Sequence, residues 1–218
     1  MKLSELFGST LRKAPTDAET LSYQWLARGG YIRYAKDGDF VNLPLATRLL
    51  NKLKARLRYE TESRGGQEVG AHADILQLAI GDIQSYRQLP QILFSFDEIT
   101  KKAHPRLGLF GAAHSPSANI HVLAESAETQ KNYEKMIFKM LDEVFSKIEL
   151  SPIKTEKGSY AFITGKGNLD YIRCPQCNYL EQQDFAKRAK MTLSAEELRE
   201  LEKVETPDAH TIDALASF

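Results

Sequence analysis

The stretch HPRLGLFGAAHSPSANIHVLAES, residues 104–126, gathers side chains suited to chemistry: His104, His114 and His121 stand around Ser115. A serine beside an imidazole is the raw material of nucleophilic catalysis, because the imidazole can take the hydroxyl proton. That chemistry also needs a carboxylate to orient the base. None follows until Glu125, and no nucleophile-elbow sequence occurs. Histidines of loops and strand edges are more often plain surface or core residues. Lys101, Lys102, His104 and Arg106 form a basic cluster in the same region. With Lys52, Lys54, Arg56 and Arg58 they could contact RNA phosphates. The plainer reading is a solvated face, since no aromatic residues interleave the basic ones to stack on bases.

Two further motifs invite chemistry. Cys174 and Cys177, the two cysteines of the chain, lie in RCPQCNY. A structural zinc takes four ligands, so one CxxC supplies half a site, and a second chain or distant histidines must complete it. A redox CxxC belongs beside a βαβ pattern, and none is found. A remnant or an ordinary turn is the bland alternative. GKGN, residues 165–168, suggests a phosphate loop but lacks the full Walker spacing, and reads as a hairpin turn.

These residues must be positioned by the elements around them. Asp17 to Arg28 reads as a helix stopped by Gly29-Gly30. YIRYAKDGDFVNL reads as a hairpin around Asp37-Gly38. Pro44 opens the next helix, with Leu45, Leu49, Leu53 and Leu57 as its apolar stripe, and Gly65-Gly66 ends it. A short strand follows at 67–69, then a helix over 73–90 and a strand at 91–96. Glu128 to Ile148 reads as a long amphipathic helix with Tyr133, Met136, Ile137, Met140, Leu141, Val144 and Phe145 inward. SPIKT, GSYAFIT and LDYIRC read as strands. Ser194 with Glu197 makes a capping box before a short helix. Helices interleaved with hairpin-linked strands indicate an α+β fold with an antiparallel sheet.

Composition bounds the function. The chain has 218 residues, 42% of them hydrophobic, and its 29 basic and 29 acidic residues balance to zero net charge. A wholesale nucleic-acid surface is not expected, and DNA is not an expected partner. No apolar run approaches a membrane span, no signal-peptide core opens the chain, and a cytoplasmic location is expected.

The order of several segments resembles a known family. MKLSELFGSTLRKAP, LPLATRLLNKL, GGQEV, HPRLGLF, NYEKM, YIRCPQCNY and LEKVETPDAHTIDALASF follow the order of the bacterial prolyl-tRNA synthetases. The resemblance implies a class II aminoacyl-tRNA synthetase-like antiparallel β-sheet flanked by helices, and a homodimer. It divides the chain into a truncated core, residues 1–190, and an extension, residues 191–218, resembling the approach to the family's editing domain. Such enzymes activate proline with ATP and Mg²⁺ and then esterify tRNA. The segment between GGQEV and LPQILFSF is much shorter than in the family, which implies loss of the loop that holds the amino acid.

The same resemblance implies a degraded nucleotide site. The arginine that grips the ATP α-phosphate falls on Thr100. The glutamate that reads adenine falls on Lys102, and the loop's Arg-Glu falls on Ala113-His114. The scaffold run Pro105-Arg106-Leu107-Gly108-Leu109 remains. The family's His-Glu-Phe falls near Gly158-Ser159-Tyr160, and the interface proline falls on His72. A threonine hydroxyl cannot replace a bidentate guanidinium, and lysine accepts no hydrogen bond. The expectation is a non-catalytic binding or regulatory scaffold without catalytic residues, metal or cofactor, partnered by itself, another protein or RNA. The alternative is an ATP-dependent ligase for another amino or carboxylic acid, acting on RNA, a carrier or a protein. ATP and Mg²⁺ enter only in that case, with Lys101, Lys102 and Arg106 as the substitute cations. A fragment of a longer synthetase-related protein is the third reading.

Overall fold

The computed structural model describes residue 2 and residues 5–70, 74–155, 158–167, 169–177, 179–187, 205 and 211–213. Met1–Ala186 make one compact unit and Lys187–Phe218 a second. His72 and the Ser194/Glu197 capping box lie outside the described residues.

Capping chemistry sets the first elements. Helix α1 spans Leu21–Arg28, shorter than the Asp17 start expected, because the Thr20 hydroxyl accepts from the Tyr23 N–H and so fixes the N-cap. Strands β1 (Ile32–Tyr34) and β2 (Phe40–Asn42) form the expected hairpin. Its turn puts Asp37 at φ 53° and Gly38 at φ 84°, the left-handed region that an Asp-Gly pair tolerates. Tyr23, Ala27, Ile32 and Ala46 pack together beneath it.

Helix α2 spans Pro44–Glu62 with Pro44 in its first turn. The i, i+4 leucine stripe is only partly the buried one: Leu49 is exposed, whereas Ala46, Glu60 and Thr61 are buried. A strict four-residue step advances beyond the 3.6-residue turn, so the leucines drift around the helix. Helix α4, Ala127–Lys147, starts where the Ser126 hydroxyl accepts from the Thr129 N–H. All seven apolar residues expected to face inward are buried or half-buried.

The expected helix over 73–90 is divided. Helix α3 covers Ile75–Asp82, capped by the Asp74 carboxylate, and a single 3₁₀ turn covers Tyr86–Gln88. Ile83 is extended, and the Ser85–Gln88 capping box starts the second piece afresh.

Strands β3 (Gly66–Glu68), β4 (Gln91–Thr100) and β5 (His114–Leu123) form a three-stranded sheet in that order. β4 and β5 pair antiparallel over ten residues each, from Gln91↔Leu123 to Thr100↔His114. β3 pairs parallel to β4, a departure from an all-antiparallel sheet. The crossover through α3 explains it, since a parallel neighbour needs a long connection rather than a hairpin. Two small hairpins follow: β6 (Ile153–Lys154) with β7 (Tyr160–Ala161), and β8 (Tyr171–Arg173) with β9 (Leu180–Gln182). The fold is α+β, as read. Among the described residues no helix is long and apolar enough to cross a membrane.

Candidate functional site at the β4–β5 hairpin

Strand alternation gives the β4–β5 hairpin two unlike faces. One carries Phe94, Phe96, Glu98 and Thr100 beside Ile120, Ala118, Pro116 and His114. Helices α2 and α4 cover its inner end around a 260 Å³ cavity lined largely by Leu57, Phe94, Phe96, Ile120, Ile137 and Leu141. Arg58 lies over the Phe96 ring at 5.1 Å and also forms a two-pronged ion pair with Glu68.

The opposite face carries Ser95, Asp97 and Ile99 beside Asn119, Ser117 and Ser115. Here the Ser95 hydroxyl donates to Asp97, and Asn119 donates to the same carboxylate at 2.8 Å. Ser117 donates to the Asn119 carbonyl oxygen at 3.0 Å. The Ser115 Oγ is buried without a hydrogen-bond partner. The sequence reading overlooked this polar row. Its signal was the alternation S-x-D in FSFDE against S-x-S-x-N in SPSAN.

The loop between the strands is held closed by its own backbone and by the β1–β2 turn. Lys101 N–H donates to Ala113 O at 2.9 Å, and His104 N–H to Gly111 O at 2.7 Å. The Lys101 ammonium donates to Phe110 O at 2.9 Å. Ala113 N–H donates to Gly38 O at 3.2 Å. Asp39 then takes both the His114 N–H, at 3.1 Å, and the His114 Nδ1, at 2.6 Å. These hydrogen bonds from His114, its side chain first, hold the Asp39 carboxyl below its usual range.

The sequence-derived candidates are therefore dispersed. Thr100 and Lys102 are exposed; Thr100 ends β4 on the face whose inner end the helices cover, and Lys102 lies in the loop beyond it. Ser115 and His114 point to opposite faces. His121 is six residues further along the strand from Ser115, about 20 Å at strand rise, so the serine–histidine cluster does not assemble. Arg106 faces Glu19 at 3.7 Å, beside a 360 Å³ cavity that Thr16, Asp17 and Ala18 also line. Glu19 also binds Lys166 at 2.9 Å, the main cause of its lowered pKa.

Residues 165–167 of GKGN make a turn between two hairpins rather than the hairpin turn expected, since β7 pairs with β6 and β8 with β9; Lys166 supplies a structural ion pair to Glu19, and its carbonyl accepts from the Thr164 hydroxyl at 2.7 Å. A Cβ at Gly165 meets nothing within 4 Å. Gly165→Ala is expected to change unfolding free energy by less than about 0.5 kcal/mol in a denaturant titration; a larger loss would give this turn a role the contacts do not.

The remaining candidates also have packing roles. Tyr160 donates to Asp142 at 2.6 Å and packs on Phe145 at 5.0 Å, so it belongs to α4. Burial first, and then the Asp142 hydrogen bond, push its phenol well up. Arg56 binds Glu60 at 2.6 Å, which ties another of the α2 cations into the protein. Cys174 and Cys177 lie in the β8–β9 turn. Backbone N–H groups of Cys177 and Gln176 hydrogen-bond the Cys174 sulfur and lower its pKa. Among the described residues no group of three or more His, Cys, Asp or Glu could hold a metal.

No family model matches the chain. Its whole length aligns with proteins named proline–tRNA ligase: 29% identity in Dehalococcoides mccartyi, 27% in Syntrophomonas wolfei and 24% in Desulforamulus reducens. These alignments run over 271–273 residues, some fifty more than the chain has, so the relatives carry insertions relative to it. The chain spans about half the length of these curated relatives, 47–48% of each. The chain is thus an α+β protein similar along its whole length to about half the length of the bacterial proline–tRNA ligases.

Proposed function

We propose that this chain is a prolyl-tRNA synthetase-like scaffold that does not activate proline and acts by binding, as a regulatory or assembly partner of another macromolecule. The observation that carries the reading is the use made of the hairpin loop. Ala113 and His114, where the resemblance places a catalytic Arg-Glu pair, dock the β1–β2 turn through Gly38 and Asp39. Lys101 is spent on Phe110 O, and Arg106 faces Glu19. Adenylate formation depends on cations preorganised around the phosphates. The neutral hydroxyl of Thr100 does not supply one.

A protein partner is favoured over RNA. Arg56 and Arg58, from the expected basic surface, are paired within the chain. Helix α3 meanwhile exposes Leu76 (66%) and Ile80 (76%), side chains that a partner would cover. ATP–pyrophosphate exchange by the purified protein, with a panel of amino acids including proline, is expected to stay at background. Exchange with any acid would overturn the reading.

One observation favours a second reading, a ligase for a different acid. Asp97, Ser117 and Asn119 share one face of the β4–β5 hairpin, a half-buried polar row able to take a ligand. In that case alanine at Lys101, Lys102 and Arg106 together abolishes turnover. Turnover unaffected by the triple replacement removes this reading.

A further inference from the structure

The CxxC hairpin has a feature that the synthetase-like hairpin does not use. Strands β8 and β9 pair from Tyr171↔Gln182 to Arg173↔Leu180, and Cys174 N–H donates to Tyr179 O at 2.9 Å, which closes the turn. Within that turn the backbone N–H groups of Gln176 and Cys177 converge on the Cys174 sulfur, and Cys177 hydrogen-bonds it as well. Two sulfurs are thus drawn together at a hairpin tip, one half-buried and one exposed.

We propose that Cys174 and Cys177 form one half of a tetrathiolate zinc site whose other half is the same hairpin of a second copy of this chain. Zinc prefers four tetrahedral ligands, and C-x₂-C turns supply them two at a time. The described residues add no third His, Cys, Asp or Glu to this pair. A second identical turn across a two-fold axis is self-complementary and brings the missing two sulfurs. Exposure of Cys177 at the tip leaves room for that approach. Binding replaces four S–H bonds with four Zn–S bonds and releases four protons to the buffer per metal, leaving a site of charge 2−. No electrons move, so the step needs no oxidant.

The test uses the full-length chain, reduced and stripped of metal, titrated with zinc sulfate or cobalt(II) chloride and then desalted. The expected result is one retained metal per two chains, carried in an assembly with an even number of chains. Cobalt should give the intense thiolate charge-transfer absorption of a tetrahedral tetrathiolate site. Zinc should also shield both cysteines of the wild-type chain from iodoacetamide. The double variant Cys174→Ser/Cys177→Ser should keep its circular dichroism and retain no metal. One metal per chain, no retained metal, or thiols that stay fully reactive under zinc would each overturn the proposal. The alkylation result stands even if the double variant fails to fold.

Discussion

Glu60→Ala is expected to lower the thermal midpoint by on the order of 10 °C, because breaking a buried ion pair strands its partners. Glu60 is only 4% exposed, yet three cations converge on it. Arg64 binds it at 2.7 Å, Arg56 at 2.6 Å and Lys147 at 3.0 Å. Arg56 and Arg64 come from α2 or its end and Lys147 from the end of α4, so this carboxylate ties the two helices that back the β4–β5 sheet. Arg64 extends the tie to Glu143 of α4 at 2.7 Å. Removing the carboxylate leaves the guanidinium of Arg64, 21% exposed, with one acidic partner of its two.

The same network sets a pH dependence. The hydrogen bond from Arg64, then that from Lys147, holds the Glu60 carboxyl near a pKa of about 2, against an ordinary 4.5. A pKa lowered in the folded state means that the unfolded chain binds the proton more readily. The stabilisation is therefore complete above about 4.5 and is lost as the pH falls toward about 2. Thermal unfolding followed across that window should show a steep acid limb in the wild type and a shallower one in Glu60→Ala. Identical limbs would show that the network contributes nothing.

Gly111→Ala is expected to cost about 3 kcal/mol, at the upper end for overpacking. A Cβ at Gly111 would stand 2.0 Å from His104 O and 2.7 Å from His104 C. Both are backbone atoms, so no side-chain rotation relieves the clash. The loop must open there, and the 2.7 Å bond from His104 N–H to Gly111 O opens with it. Denaturant titration should show the loss. Hydrogen exchange should show faster exchange at the amides of Lys101 and His104 than at those of β8 and β9. Unchanged stability, or uniform loss of protection, would mean that the loop is not closed by this contact.

Much of this protein is legible in its sequence, wherever a local cause acts within a few residues. Asp37-Gly38 dictates a hairpin because its backbone tolerates positive φ. Pro44 marks a helix start because its missing N–H costs nothing there. The apolar period of 133–145 fixes the buried face of α4. The end-to-end similarity to prolyl-tRNA synthetases is likewise a property of the order of segments. Local signals also misled: the apolar continuity of 73–90 read as one helix, but the caps at Asp74 and Ser85 make two pieces.

What the tertiary structure alone decided depends on residues distant in the chain. The sequence placed Lys101, Lys102, His104 and Arg106 in one basic cluster. The fold turns the Lys101 ammonium onto Phe110 O, and Glu19 captures Arg106 from far upstream. His114 read as a neighbour of Ser115, whereas the fold gives it Asp39 at 2.6 Å. Nothing in the local sequence marks Glu60, yet the fold buries it and brings Lys147 of α4 to 3.0 Å. A chain specifies each residue's nearest neighbours directly, but it specifies a residue's face and its distant partner only through register and packing, which every other residue helps to set.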